Sequence, residues 1–414
     1  MDNTTKVWTT VSNSSEAAST VLSESMQAAQ QGTFPVGGCI IDNATGKVIQ
    51  AMHNNVLKPL IGTEDKTFTY DPTAHGERQL VYWYYANKEA LNLPEPENLT
   101  LVTSLDPCAM CTGTLLTVGF NVAVVAIDDF AGINYDETFS FEDLPVNLRP
   151  LAKSKFGYYA CGVDGIDPDM YVRKYVGGSN VAFKDTTVSS QLLVGCGDIF
   201  QASVDTVRDN SSDSGLAPAE LIDPANLPES SAVKTKYREI YPDAFKMKIS
   251  SPRLPTKELY DLLVKVKNAE EGAKNSIAFI DPFGNVVLCL PDTFLVSPVH
   301  TSFMNTTQAY AITRYNLMDD VTTREEAKKS LTHPKYGTFV FLHAPNPNET
   351  TTIMMLGAYG STMEGPVPQI FPANLQYFNE PTEGTTEELS TVIMNLPPFY
   401  TELAQLSIMQ SYKA

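Results

Sequence analysis

Two short motifs, each beginning with an Asp-Pro pair, constrain this chain more than any other part of its sequence. They are DPTAHGE at Asp71–Glu77 and DPCAMC at Asp106–Cys111. In such a motif the Asp side chain can accept hydrogen bonds from the first free N–H groups of a helix. Pro can fill the first helical position, where a missing N–H costs nothing. The motifs therefore predict two helix starts, one carrying a His and a Glu and the other carrying two Cys.

The side chains at these two helix starts can form one metal site. Cys108 and Cys111 are three positions apart and share a helix face, and a helix N-terminus favours thiolate over thiol. With His75 they supply three zinc ligands, which leaves the fourth tetrahedral position for water, as in catalytic rather than structural sites. Glu77 is close enough along the chain to reach that water without binding the metal.

Each half of this pattern has an ordinary alternative. A C-x-x-C pair also occurs as a redox centre or as half of a structural zinc site, and an isolated His in a helix often only packs. Here both proline-led motifs occur in order, with enough chain between them for a helix, a loop and a strand. The combination predicts a zinc site.

H-x-E followed by P-C-x-x-C resembles the signature of zinc deaminases of the cytidine deaminase-like superfamily. DPTAHGE with PCAMC is most similar to the guanine deaminase and tRNA adenosine deaminase branch. The resemblance implies an α/β fold, a three-layer α-β-α sandwich, with one zinc ion that removes an amine hydrolytically from a nucleobase or nucleoside. In that chemistry zinc-bound hydroxide attacks the amine-bearing ring carbon. Glu77 carries protons to the ring nitrogen and the departing amine.

Composition narrows the substrate and the cellular location. The chain of 414 residues has a net charge of −19, with 29 Lys and Arg against 48 Asp and Glu, which argues against gripping a polynucleotide. A small uncharged base or nucleoside is favoured instead. Six Cys, two of them assigned to metal, indicate a reducing cytoplasm, and neither a signal peptide nor a membrane-spanning apolar run is evident.

The first half of the chain has the pattern of an α/β domain. Pro35–Asp42 and Gly46–Met52 predict a hairpin, and Leu99–Leu105 predicts a buried strand of the parallel kind. Helices predicted at Ser15–Gln31 and after each proline-led motif alternate with these strands. This alternation predicts a sandwich around a mostly parallel sheet.

The resemblance also implies residues that bind the substrate. Asn54 matches the family asparagine that hydrogen-bonds the base, with Asn55 as the alternative if the register slips. Further on, AGINYDETFSFEDL is similar to the guanine deaminase segment that lines the base pocket. Asp136 and Glu137 would occupy its acidic pair and Phe139 its aromatic position. A carboxylate there would accept from the N–H donors of guanine.

Three other segments of the first half receive predictions. The loop Leu57–Tyr70 is long for this branch and can be a lid or a partner contact. Val181–Asp185 is predicted as an edge strand and Val188–Arg208 as a closing helix. The stretch 210–233 that follows is rich in Ser, Pro and Asp and is predicted to be a linker.

The second half of the chain has the pattern of a degenerate repeat of the first. Thr256–Asn268 predicts a helix, and Ser276–Leu290 matches the first hairpin, with IDPFGNVV set against IDNATGKVI. In SPVHTSF, His300 stands near the place of His75 and Ser302 where Glu77 would be. The strand GTFVFLHAP is followed by no Cys. This half is therefore predicted to be inactive.

The predicted organisation is a catalytic domain over 1–209, a linker over 210–233 and a degenerate deaminase-like domain over 234–414. The degenerate copy would serve as a built-in partner in an intramolecular pseudo-dimer, and further homo-oligomers remain open. Two alternatives to the small-molecule deaminase stay open too. One is a tRNA adenosine deaminase, and the other is a non-catalytic scaffold or regulatory homologue with structural zinc.

Overall fold

The structure, a computed structural model, divides the chain into two compact units. The first comprises Met1–Asn55 and Ala74–Thr206, and the second comprises Val56–Thr73 and Val207–Ala414. The segment Val56–Thr73, although flanked on both sides by the first unit, is thus part of the second. The residues described are 9–63, 66–128, 131–134, 139–161, 175–210, 220–250, 254–362, 375–397 and 410–411.

The first unit alternates helices with the strands of a sheet. Two short strands, β3 (Leu57–Pro59) and β4 (Thr67–Thr69), precede α2 (Gly76–Leu91) in chain order but belong to the second unit. The elements of the first unit are α1 (Ser14–Gln31), β1 (Gly37–Asp42), β2 (Val48–His53), α2 (Gly76–Leu91), β5 (Leu99–Leu105), α3 (Ala109–Val118), β6 (Asn121–Ala126), α4 (Arg149–Lys155), β7 (Phe156–Tyr158), β8 (Ala160–Cys161), β9 (Val176–Gly177), β10 (Thr187–Val188) and α5 (Ser190–Asn210).

The sheet of the first unit is mixed, so the prediction of a mostly parallel sheet is wrong. Its order is β2-β1-β5-β6-β7-β9. Strand β5 pairs parallel with β6, and β6 pairs parallel with β7. Strand β1 pairs antiparallel with both β2 and β5, and β9 pairs antiparallel with β7. Strands β5 and β6 are buried along their whole length, as their apolar sequences require.

Helices cover both faces of this sheet and give the predicted three-layer sandwich. Residues of α1 and α5 share a core cluster with Cys39, Ile41 and Val102. The next residue along β1 faces the other way, since a Cβ placed on Gly38 would lie 3.0 Å from the Leu80 side chain of α2. The predicted edge strand at Val181–Asp185 is wrong, because the chain makes turns there and the short strand β10 follows it.

The second unit contains a sheet of order β12-β11-β13-β14-β15 and a separate small hairpin formed by β3 and β4. Its elements are β3 (Leu57–Pro59), β4 (Thr67–Thr69), α6 (Ala232–Ile240), α7 (Lys257–Ala269), β11 (Ser276–Ile280), β12 (Val286–Pro291), α8 (Ser302–Asp319), α9 (Arg324–Ser330), β13 (Thr338–His343), α10 (Thr350–Thr362), β14 (Leu375–Asn379), α11 (Thr386–Asn395) and β15 (Gln410–Ser411).

The main sheets of the two units share their topology. In each, an antiparallel hairpin is followed by an antiparallel pairing and then by two parallel pairings. Each hairpin has a register shift at the corresponding place, between Ile40 and Ile41 in one and between Phe279 and Ile280 in the other. Shared bulges of this kind are expected of a duplicated domain, and the duplication itself stays a prediction.

No helix among the described residues combines the length and the apolar character needed to cross a lipid bilayer.

Candidate metal centre and active site

The first proline-led motif brings His75 to the start of α2, but not in the predicted way. Helix α2 begins at Gly76, with His75 as its N-cap residue. Asp71 does not cap this helix, and that prediction is wrong. Its Oδ1 instead accepts from the backbone N–H of Thr73, at 2.8 Å, and from the Thr73 hydroxyl, at 2.7 Å. Asp-Pro favours such a local turn as readily as a helix start, and here the turn forms.

The second motif differs in the same manner. Cys108 is the N-cap residue of α3, and Asp106 does not cap the helix as predicted. Asp106, only 3 % exposed, accepts a hydrogen bond of 2.6 Å at Oδ1 from the Tyr158 hydroxyl of β7. A Cβ added to Gly132 would lie 2.7 Å from Asp106 Oδ2, so the loop after β6 can approach this closely only because residue 132 is glycine.

The two helix starts bring the three predicted metal ligands together. The ligand atoms of His75, Cys108 and Cys111 all lie within 4.8 Å of one another. The Cys108 sulfur is 3.6 Å from His75 Nδ1. Zn–S and Zn–N bonds of about 2.3 and 2.0–2.1 Å at a tetrahedral angle would place the two ligand atoms about 3.6 Å apart. The donor set and its spacing therefore fit zinc.

The pKa values of the two thiols are shifted in opposite directions. The pKa of Cys108 lies well below its ordinary value, chiefly because the Cys111 thiol hydrogen-bonds to it and also because His75 is near, while burial opposes this. The pKa of Cys111 lies well above its ordinary value, because the group is buried and faces Cys108 and Glu77. Of the two thiols, Cys108 therefore gives up its proton more readily than Cys111 does. Binding of zinc would release the Cys111 proton.

Glu77 is buried beside the ligands, with 2 % of its surface exposed. The Thr103 hydroxyl of β5 donates to Oε1 at 3.0 Å, and the Cys111 thiol donates to Oε2 at 3.4 Å. Burial and, next, the negative charge of Cys108 raise the carboxyl pKa, while His75 and the hydrogen bonds lower it. A carboxyl group with a raised pKa can take up a proton and return it near neutral pH.

Thr103 was not singled out by the sequence. Its position in the apolar run LTLVTSL is the one available signal, since a hydroxyl in a fully buried strand must find a hydrogen-bonding partner. The structure supplies two, because the hydroxyl lies 3.0 Å from Glu77 Oε1 and 3.0 Å from the carbonyl of Leu105.

Asn54, predicted to bind substrate, follows β2 and is 2 % exposed. Its side-chain oxygen accepts a hydrogen bond of 2.7 Å from Thr33, a residue that no sequence pattern identified. Its backbone nitrogen would lie 3.5 Å from a Cβ added to Gly76, at the start of α2. Asn55, the alternative, accepts at 2.7 Å from Gln31 in α1.

The predicted base-binding loop is described only in part. Asp136 and Glu137 lie outside the described residues. Phe139 is half-buried, with φ of 52°, a left-handed conformation that costs a bulky residue energy. Its ring packs edge-to-face on Tyr158, with centroids 5.7 Å apart, and Tyr158 is the residue that hydrogen-bonds Asp106.

Equivalent backbone hydrogen bonds inside each unit show which residues of the second unit correspond to those of this site. They also correct the correspondence predicted from the sequence. Asn54 N–H bonds to Val36 O and Asn55 N–H to Ala74 O, both at 2.8 Å. The corresponding bonds of the second unit join Asp292 to Asn275 at 3.1 Å and Thr293 to His300 at 2.9 Å. His300 therefore corresponds to Ala74, one position before His75.

Different residue types stand at the corresponding places in the second unit. Thr301 stands at the place of His75 and Phe303, not Ser302, at that of Glu77. Phe341 pairs with Ile277 in the way that Thr103 pairs with Gly38. The rings of Phe303 and Phe341 are stacked at 6.0 Å, where the first unit has a carboxylate and a hydroxyl.

The cysteine positions are replaced too. Ala344-Pro345-Asn346 follows β13 as Asp106-Pro107-Cys108 follows β5, which puts Asn346 at the place of Cys108. Three residues on, Glu349 stands at the place of Cys111. Among the described residues, the cluster around His75 is the one group of three or more His, Cys, Asp or Glu side chains spaced to hold a metal.

Parts of this chain are similar to one family model and to several solved structures. Residues 12–127 match the family model described as the cytidine and deoxycytidylate deaminase zinc-binding region. A similar solved structure comes from work on A-to-I editing by tRNA:A34 deaminases, with 22% identity, 29% of this chain and 81% of that chain covered, and a TM-score of 0.22. Another is guanine deaminase from Nitrosomonas europaea, with 16% identity, 47% and 87% covered, and a TM-score of 0.28.

The matched segment contains His75, Glu77, Cys108 and Cys111, the residues that the fold assembles into one cluster. Residues 12–127 of this chain are therefore similar to the zinc-binding region of cytidine and deoxycytidylate deaminases.

Proposed function

We propose that the protein is a hydrolytic deaminase of a nucleobase or nucleoside, with a guanine-like purine as the favoured substrate. One observation carries the proposal: a buried carboxylate, Glu77, touches the ligand Cys111 without being one of the three metal ligands. A purely structural zinc site has no use for such a group, whereas hydrolysis needs a proton carrier there.

The residues of the site divide the work between them. His75, Cys108 and Cys111 would hold zinc, which supplies Lewis-acid activation of a water molecule. Glu77 would accept one proton of the attacking water and deliver it to the ring nitrogen next to the attacked carbon. It would then pass the second proton, which the added hydroxyl group carries, to the departing amine, so that ammonia leaves and a ring carbonyl remains. The Thr103 hydroxyl fixes the carboxylate so that Oε2 stays beside the metal ligands.

The substrate preference rests on residues that the family resemblance assigns to the base pocket and on the charge of the chain. Asn54 would hydrogen-bond the base, Phe139 would pack on it, and Asp136 and Glu137 would accept from the N–H donors of guanine. The net charge of −19 is unfavourable for binding a polynucleotide. A tRNA adenosine deaminase is the second candidate, because the H-x-E and P-C-x-x-C motifs fit it equally well.

We further propose that 1–209 is the catalytic domain, 210–233 a linker and 234–414 a degenerate deaminase-like domain that acts as an intramolecular partner. The stacked Phe303 and Phe341 support the degenerate assignment, because they stand where proton transfer would need Glu and Thr. A cytoplasmic location follows from the reduced cysteines that the site requires.

Ammonia release by zinc-loaded full-length protein tests the proposal directly. The panel is guanine, guanosine, adenine, adenosine, cytosine and cytidine, with the Glu77→Gln variant as the matched control. We expect release from a purine by the wild-type chain alone. No release from any compound, or equal release by the variant, would contradict the proposal. Retention of the wild-type protein on a tRNA column at physiological salt would favour the tRNA reading.

A further inference from the structure

The segment Val56–Thr73 leaves and re-enters the first unit beside the candidate site. Asn54 and Asn55 precede it, and Ala74 and His75 follow it. The hydrogen bond from Asn55 N–H to Ala74 O, 2.8 Å, closes its base. At the corresponding place in the second unit the far shorter segment 294–299 connects Thr293 to His300. Val56–Thr73 is therefore an insertion relative to the second unit. It begins two residues after Asn54 and ends two residues before His75.

This insertion is a small hairpin that needs outside support. Strands β3 and β4 make three residue pairs, between Leu57–Pro59 and Thr67–Thr69. A hairpin this short is marginal in water by itself. Elements of the second unit pack against it, and α8 supplies several of the contacts.

Tyr315 of α8 holds the hairpin at two points. Its hydroxyl donates to the carbonyl of Pro59 at 2.6 Å, and its ring meets that of Tyr70 edge-to-face with centroids 5.2 Å apart. At the tip, Asp319 of α8 accepts from the backbone N–H of Ile61 at 2.7 Å. These contacts engage β3, the turn and the residue that directly follows β4.

A second contact reaches the end of the hairpin nearest the metal ligand. Gln308 of α8 donates through Nε2 to Asp71 Oδ2 at 3.1 Å. The other oxygen of Asp71, a residue only 4 % exposed, accepts both bonds from Thr73. Asp71 thus links α8 to the turn that leads, two residues after Thr73, to His75.

We propose that helix α8, acting through Gln308 and Tyr315, positions His75 and thereby sets the zinc affinity of the first unit. Both are positioning residues, since their effect passes through Asp71 and the hairpin. The proposal rests on the zinc site of the proposed function but not on deamination itself. It gives the second unit a function even though its own site positions hold Thr301, Phe303 and Asn346.

The test compares matched variants of the full-length chain. Gln308→Ala, Tyr315→Phe and the double variant remove the contacts to the hairpin. Tyr310→Phe is the control, because Tyr310 is on the same helix and its hydroxyl also donates to a backbone carbonyl, that of Thr332, at 2.7 Å. Zinc affinity is measured by competition with a chromogenic chelator, and the melting temperature is recorded for each variant without metal.

We expect the double variant to bind zinc roughly fivefold more weakly than the wild type. This is less than the about 10–100-fold cost of losing a partner bonded to the ligand itself, because Gln308 acts on His75 only through Asp71 and Thr73. The Tyr310→Phe control should melt lower yet keep its zinc affinity within about twofold of the wild type. Equal zinc affinity in the double variant and the control would overturn the proposal. Because chelator competition needs no turnover, a chain that releases no ammonia would refute the deaminase assignment and leave this result readable.

Discussion

Replacement of Glu77 by Gln tests the proposed proton carrier with little disturbance of the fold. The side-chain oxygen of Gln can still accept the 3.0 Å hydrogen bond from Thr103. Its NH₂ group would take the place of Oε2 and face Cys111, to which it can donate once that thiol has lost its proton to bind zinc. The three metal ligands are unchanged. We therefore expect the variant to keep one zinc ion per chain.

The expected kinetic effect is large. Removal of a general acid–base group slows a reaction by roughly 10²–10⁴-fold, or about 2.7–5.5 kcal/mol in activation free energy. Stability should move little or rise. The carboxyl pKa is raised from 4.5 in the folded chain, so its contribution to stability is present below 4.5 and is lost as the pH rises through the higher value. Gln does not ionise, so the variant does not lose this stability at pH 7.

Ammonia release under saturating substrate and elemental analysis of the same preparation would measure both quantities. A rate within about tenfold of the wild type, with zinc retained, would refute the role given to Glu77. Loss of zinc together with activity would instead show that the carboxylate stabilises the metal site, and the reasoning from its contacts would be wrong.

Three further predictions concern the same centre. Zinc affinity should rise about tenfold per pH unit near neutrality, because the raised pKa of Cys111 makes binding release one proton; a flat profile in chelator competition would contradict this. Thr103→Val should lower the turnover rate several-fold at unchanged zinc content, since Glu77 loses its hydroxyl donor; unchanged turnover would show that this bond is dispensable. Tyr158→Phe should lower the free energy of unfolding by about 1–3 kcal/mol in a denaturant titration, because buried Asp106 loses its donor; a change under 0.5 kcal/mol would contradict it.

The metal-binding cluster could be predicted from the sequence because few residue types bind zinc. One His and two Cys in proline-led motifs have few uses together, and the predicted cluster of His75, Cys108 and Cys111 is confirmed. The buried strand Leu99–Leu105 is confirmed to the residue, since a continuous apolar run leaves little choice of ends.

Other features depend on contacts between distant parts of the chain, which local patterns do not show. Asp106 has the pattern of a helix cap, but its bond to Tyr158 comes from a residue far away in sequence. Asp71 forms a local turn with Thr73, and its second oxygen is bonded by the distant Gln308. The sequence match of the two halves was wrong by one position at His300, because it relied on a single His. The backbone hydrogen bond between Thr293 and His300 shows the correct match.

X-ray absorption at the zinc edge of purified full-length protein tests the proposed metal centre itself. We expect one zinc ion with two sulfur ligands at about 2.3 Å and two nitrogen or oxygen ligands at about 2.0–2.1 Å, one from His75 and one from solvent. A shell of four protein ligands with no exchangeable position would contradict it by indicating a closed structural site. A shell without sulfur would contradict it more completely, because Cys108 and Cys111 would then not bind the metal.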